Sequence, residues 1–272
     1  MSLSGIDIAV VTGGGHGIGR ALCRRLARDG VKVIVADIDG DAAITVATEI
    51  NGVARQLDVS NEQAMLELVE SVESDVGAIG LFISNAGVGF GDGPSGAISK
   101  EGGMHASVDR WSACWDVNVM AQVYAARAVI PKMLERGGGY IVNVASAAGL
   151  LSQIGDAAYS VTKHASVGFT EALAIDYGDE GIKVSVVCPQ AVATRMIGME
   201  DDSDATEGGF GGNEVDGILK AEEVADIVIE QVLEGRFMIL THPQVTNYIQ
   251  RKTGDYDRWI GGMRKFRRSL AK

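Results

Sequence analysis

Val10-Val11-Thr12-Gly13-Gly14-Gly15-His16-Gly17-Ile18-Gly19-Arg20 is the stretch whose reading decides the fold. A β-branched run ends at Val11, five glycines fall within the next eight residues, and a helical pattern follows from Arg20. Glycine lets a chain turn tightly and lets its backbone come close to a bound group. A helix that starts directly after such a turn offers N–H groups and partial positive charge to an anion. The spacing is G-x3-G-x-G through Gly13, Gly17 and Gly19, and no Gly-Lys-Ser/Thr follows, so this is not a Walker A loop. The plain alternative is a strand-to-helix turn that binds nothing.

Outward from this loop, short apolar runs alternate with helical stretches. The runs are Val31 to Val35, Gly80 to Ile83, Tyr140 to Val144, Lys183 to Val187 and Phe237 to Leu240. The helical patterns cover Arg20 to Gly30, Asn61 to Val76, Val108 to Arg136 and Ala157 to Tyr177. Nearly continuous β-branched runs suit strands covered on both faces, and the alternation predicts a doubly wound parallel α/β sheet, a Rossmann fold. With no repeat and no linker, residues 1–272 form one dinucleotide-binding and catalytic domain. Pro131 lies inside the third helical stretch and should kink it or end it early.

Composition bounds the function classes. The chain has 272 residues, 46% hydrophobic and 22% charged, which excludes disorder and coiled coil. Its net charge of −12 disfavours nucleic acid as a partner. The three cysteines (Cys23, Cys114, Cys188) and four histidines are scattered, so neither a disulfide framework nor a metal site is expected. No signal-peptide pattern and no run of 18 apolar residues is present, which points to a cytoplasmic protein without a membrane span. Residues 198–213 hold five glycines and five acids, the composition of a mobile loop, and a substrate lid is expected over residues 190–216. Residues 251–272 carry eight basic and two acidic side chains, a tail that the acidic stretch Glu200 to Glu234 could neutralise.

Two sites of chemistry stand out. Asp37 follows the second strand, 18 residues after Gly19, where a carboxylate can accept both hydroxyl hydrogens of an adenosine ribose. It would repel a 2′-phosphate, and Ile38-Asp39 brings no cation, so the cofactor expected here is NAD, with His16 beside Gly17 in the loop. Tyr159 and Lys163 stand four residues apart on one helical face. A free tyrosine titrates near pH 10 and is a poor base, whereas a neighbouring ammonium favours the phenolate. Ser146, 13 residues upstream and just past a strand, can hydrogen-bond a substrate oxygen while Tyr159 exchanges the proton.

The ordered set Thr12-Gly13-x3-Gly17-x-Gly19, Asp58-Val59, Asn85-Ala86-Gly87, Asn118, Ser146, Tyr159-x3-Lys163 and Pro189 through Thr194 resembles the short-chain dehydrogenase/reductase family. The resemblance runs from Thr12 to about Leu240. It implies Tyr159 as acid/base, and Lys163 as both the modifier of its pKa and a ligand of the nicotinamide ribose. It also implies that Ser146 orients substrate and that Asn118 holds a water in a proton relay. The loop from Gly13 through Gly15, His16, Gly17, Ile18 and Gly19 would bind the cofactor, together with Asp37. Asp58 and Val59 would meet the adenine, Asn85-Ala86-Gly87 would back the cofactor, and Val192 and Thr194 would meet the carboxamide. Departures are Ser84 where the family has Asn, Gln190 where it has Gly, and a glycine-rich stretch between Gly87 and Asn118.

The reading is an NAD-dependent alcohol dehydrogenase or carbonyl reductase acting on a hydrophobic alcohol or ketone, assembled as a homotetramer or dimer through its long helices. Apolar residues on those helices, such as Val119, Val123, Val167, Phe169 and Leu173, are the candidates for that interface. Phe90, Met104, Leu150, Leu151, Gln153, Met196, Ile197 and Met199 are candidates to line the substrate. A catalytically idle NAD-binding regulatory protein would not need Asn118, Ser146, Tyr159 and Lys163 together. A methyltransferase would share the glycine loop and the acid but has no use for the Tyr-x3-Lys pair.

Overall fold

A computed structural model describes residues 5–90, 105–199 and 216–270. Strand β1 (Ile8–Thr12) is buried along its whole length. It pairs in parallel with β2 (Lys32–Asp37) on one side and β4 (Leu81–Ser84) on the other. Ala9 and Val11 face one helical layer and Ile8 and Val10 the other, which is why the strand is apolar at successive positions.

Among the described residues the sheet has seven strands in the order β3-β2-β1-β4-β5-β6-β7, every pair parallel. The others are β3 (Val53–Gln56), β5 (Gly139–Val144), β6 (Ile182–Val187) and β7 (Met238–Ile239). The chain builds outward from β1 to β3 and then returns to the far side of β1. The strand order therefore reverses between β1 and β4, and a crevice opens beyond their carboxyl ends, where α/β sheets bind ligands.

Helices α1 (Gly17–Arg28) and α2 (Gly40–Glu49) cover one face with α8 (Ala221–Leu233), through Leu22, Leu26, Val46, Val228 and Ile229. Helix α3 (Glu62–Asp75), α5 (Ala121–Glu135) and α7 (Ala157–Tyr177) cover the other, with Met65, Val69, Val129, Met133 and Leu173 in the core. Each such fully buried side chain contributes roughly 1.5–3 kcal/mol. The shorter α4 (Val108–Trp115) and α6 (Ala148–Leu151) flank the crevice, and α9 (Gln244–Gly254) and α10 (Tyr256–Leu270) form the basic tail. Among the described residues no helix is long and apolar enough to cross a membrane.

Several details differ from the sequence reading. Strand β3 has no counterpart there because its residues are only half-buried at the sheet edge. The stretch Val108 to Arg136 is helical without a break as far as Glu135, but a π turn over Asp116–Met120 is inserted in it. Pro131 does not end α5, which runs on to Glu135. The last strand stops at Ile239. Of the expected lid, residues 190–199 and 216 are described, with a parallel bridge joining Val192 to Leu219. Residues 200–215, including Phe210, and Met104 lie outside the described residues.

Candidate active site

The glycine loop leaves the end of β1 and packs against the loop that leaves β4. Thr12 Oγ1 accepts from the N–H groups of Asn85 (3.0 Å) and Ala86 (3.2 Å). Asn85 Nδ2 donates to the carbonyls of Thr12 and Gly13. A Cβ on Gly19 would overlap the Gly13 carbonyl oxygen, so that position admits glycine alone. The first turn of α1 carries no acidic residue and receives no side-chain cap from His16. Its donors thus remain available to an anion.

Asp37, the last residue of β2, is 7% exposed. Its carboxylate accepts from Gly15 N (2.8 Å) and Asp39 N (3.0 Å), so its place beside the loop is set by backbone donors. His16 Nε2 lies 3.2 Å from Asp39 Oδ2 and 3.3 Å from Arg195 Nη1, linking the glycine loop to the chain after Thr194. Asp58 is exposed and accepts from Ser60 N and Oγ, while Val59 is buried. Val192 also turns into the core, so only its backbone can face the crevice. Thr194 Oγ1 donates to the Val192 carbonyl (3.3 Å). A glycine cradle, an uncapped helix start and a carboxylate at the end of the neighbouring strand fit a dinucleotide.

On the β4–β5–β6 side of the crevice, Ser146, Tyr159 and Lys163 converge. Ser146 hydrogen-bonds the Tyr159 hydroxyl, accepts from Ala148 N (3.1 Å) and donates to the Pro189 carbonyl (3.4 Å). Lys163 is 3% exposed, donates from Nζ to the Val144 carbonyl (3.0 Å), and lies 5.5 Å from the centre of the Tyr159 ring. Burial pushes the Tyr159 hydroxyl up to about 12, against a lowering from Ser146. Burial likewise brings the Lys163 ammonium down to about 8. In the protein alone, desolvation therefore outweighs the expected ammonium effect, and both groups lean towards neutrality.

Asn118 is fully buried in the π turn. Its Oδ1 accepts from Val88 N (2.9 Å), and Nδ2 donates to the Val88 carbonyl (2.9 Å) and to Thr162 Oγ1 (3.1 Å). Both amide protons are spent on holding the β4 loop and α7, which leaves one lone pair of Oδ1 for any water. Gly87 lies between Asn118 Oδ1 and Lys163 Nζ: a Cβ there would stand 3.2 and 3.3 Å from them.

Of the substrate candidates, Phe90 (39%) and Met196 (50%) are exposed. Leu150 instead packs with Ala145, Val167, Val186 and Cys188 in a small core, so it does not line the crevice. Gln190 donates from Nε2 to Asp216 Oδ2 (2.9 Å), and Asp216 also accepts from Tyr248 Oη. The side chain at this departure from the family pattern thus ties down the chain at Asp216. The three cysteines are buried around the crevice: Cys23 under Gly14, Cys114 against the Val88 carbonyl, and Cys188 beside Ser146. Among the described residues no His, Cys, Asp and Glu cluster could hold a metal.

Asp156, Thr162 and Arg195 touch the candidate residues Tyr159, Asn118 and His16 and are not singled out by a reading of the sequence. Asp156 is detectable in principle, because an acid three residues before Tyr159 at the head of a helical pattern is an N-cap signal.

Comparison with known proteins gives the same frame. A family model described as short chain dehydrogenase matches residues 7–205. The 1-deoxy-11-beta-hydroxypentalenate dehydrogenase of Streptomyces exfoliatus is 34% identical over 240 residues, covering 86% of this chain and 82% of that protein. The cyclohexanol dehydrogenase of Acinetobacter sp. (strain SE19) is 32% identical over 226 residues, covering 81% and 85%. Among solved structures, a short chain dehydrogenase/reductase from Burkholderia phymatum in complex with NAD superposes with a TM-score of 0.79 at 30% identity, covering 93% of this chain and 94% of that one.

Proposed function

Because the chain belongs to the short-chain dehydrogenase/reductase family, we propose that it is an NAD(H)-dependent dehydrogenase of hydrophobic secondary alcohols, or a reductase of the matching ketones. The observation that carries this reading is the meeting of Ser146, Tyr159 and Lys163 at the edge of the glycine cradle. When bound, the nicotinamide supplies the hydride acceptor or donor. The protein's part is binding, orientation and proton transfer.

The first turn of α1 and the backbone of Gly13 to Gly19 would hold the pyrophosphate, and Asp37 would accept from the adenosine ribose hydroxyls. With its carboxylate beside Gly15 N, Asp37 disfavours a 2′-phosphate, which supports NAD over NADP. Asp58 and Val59 would meet the adenine, Asn85, Ala86 and Gly87 would back the cofactor, and Thr194 with the backbone of Val192 would meet the carboxamide. Ser146 Oγ donates to the substrate oxygen, and Tyr159 Oη takes its proton in oxidation or returns it in reduction. Lys163 Nζ would hold the nicotinamide ribose and supply positive charge near the Tyr159 phenol. Asn118 ties the chain after β4 to α7 through Val88 and Thr162.

The relatives named for cyclohexanol and 1-deoxy-11-beta-hydroxypentalenate support a secondary alcohol as substrate class. Three buried free thiols suit the cytoplasm. A panel of secondary alcohols assayed with NAD and NADP tests the activity. Tyr159→Phe should keep NADH binding and lose at least ~10²-fold in turnover. Near-normal turnover in that variant would remove Tyr159 from the chemistry.

A further inference from the structure

Asp156 has two jobs in the structure, one on the helix that carries Tyr159 and one on the chain that follows β4. Oδ1 accepts from Tyr159 N (3.0 Å), which makes Asp156 the N-cap of α7. Oδ2 accepts from Phe90 N (3.2 Å), in the chain that leaves β4 through Asn85-Ala86-Gly87. The residue is 8% exposed. Gly89 closes the arrangement: a Cβ on it would stand 3.1 Å from the Tyr159 ring and 3.5 Å from Asp156 Oδ2, so ring, carboxylate and loop share one small space.

We propose that Asp156 is a positioning residue for the reaction, clasping the tyrosine helix to the loop behind the cofactor with its carboxylate beside the Tyr159 ring. The inference rests on the functional reading above. An N-cap can be Ser, Thr, Asn or Asp with similar effect on the helix, so capping alone does not call for a charge. A second acceptor oxygen does distinguish Asp, because Phe90 N and Tyr159 N both need one.

The groups facing Tyr159 are Lys163 from its own helix, Ser146 from the loop after β5, Cys114 from α4, Cys188 from the end of β6, and Asp156. Within this set Lys163 can carry positive charge, Asp156 supplies the carboxylate, and burial keeps the Cys188 thiol neutral. The Asp156 charge acts on the Tyr159 hydroxyl in the same direction as burial, raising its proton affinity. Alcohol oxidation needs the phenolate, so removing the charge must move the acid limb of the oxidation profile to lower pH.

The test uses the full chain, NAD(H) and whichever secondary alcohol the panel selects. Asp156→Asn keeps a cap oxygen but removes the charge. The acid limb of kcat/KM should move down by about half a pH unit, raising kcat/KM about threefold on that limb. NADH affinity, read by fluorescence titration, should stay within about threefold because the hydrogen bond to Tyr159 N survives. Asp156→Ala removes both bonds, and its NADH affinity should drop about tenfold or more as the loop loses its tie. Tyr159→Phe is measured alongside. Lost turnover in Tyr159→Phe, with an unmoved limb in Asp156→Asn or normal NADH affinity in Asp156→Ala, overturns this proposal and leaves the proposed function standing. Retained turnover in Tyr159→Phe overturns both.

Discussion

Tyr159 and Lys163 store opposite pH dependences in the folded protein. Lys163 titrates near 8 when folded and near 10.5 when fully solvated, so unfolding between those values takes up a proton. Stability from this group therefore rises with pH across that window and is lost as pH falls through 8. Tyr159 runs the other way: raised to about 12, its contribution is complete below pH 10 and is lost as pH climbs through 12. Urea unfolding of wild type and Lys163→Met at pH 8 and pH 10 checks the first sign. Wild type should gain relative to the variant at the higher pH, and the opposite change would contradict the buried, half-neutral lysine. Asp37 gives a second test. Ile38 is 66% exposed and can become Arg without burial, so Asp37→Ser with Ile38→Arg should shift the kcat/KM ratio towards NADP(H) by at least about tenfold. Wild type already preferring NADP(H) would refute the role given to Asp37. The Tyr-x3-Lys pair is legible in the sequence because helical spacing alone stacks the two side chains. What burial does to their proton affinities is not, since it depends on what the fold packs around them.

At the scale of elements, the glycine loop and its helix are legible because the backbone constraint itself selects the residue type. Gly19→Ala is the sharpest check: its methyl meets the Gly13 carbonyl and Asn85 Nδ2, both part of the clasp between the β1 and β4 loops. NADH affinity should fall at least about tenfold while the protein stays folded, and an unchanged affinity would mean that the loop does not hold cofactor. Strand β3 is not legible, because Val53-Ala54-Arg55-Gln56 is a short, half-polar edge without an apolar run. The π turn is hidden for a different reason: Val108 to Arg136 keeps helical periodicity through Asp116–Met120, and the extra residue in the turn leaves no compositional mark. That turn is what brings Asn118 under Val88. Pro131 is a helix breaker by type, yet Arg127 and Pro131 both lie on the exposed side, where water can serve the carbonyl that loses its donor.

For the whole molecule, the apolar surface left on α4 and α7 sets the expected assembly. Val119, Val167 and Leu173, candidates for an interface by sequence, are instead buried in the chain's own core. The exposed set is Val108 (79%), Trp115 (43%), Val161 (47%) and Ile175 (80%). Val161, Gly168 and Ile175 recur every seventh residue along α7, a flat stripe with open space over Gly168. A second copy meeting this face would bury it, so light scattering should give a dimer or tetramer at micromolar concentration, and Val161→Glu with Ile175→Glu should lower the assembly state. A monomeric wild type would refute this. The three sheltered thiols, one beneath each wall of the crevice, also make the molecule its own clock. A thiol reagent can reach Cys23, Cys114 or Cys188 only when the wall above it swings away, so labelling rates time the separate breathing of the glycine loop, the Val88 loop and the Ser146 loop. Any ligand that braces one wall would slow one sulfur and leave the other two keeping their own time.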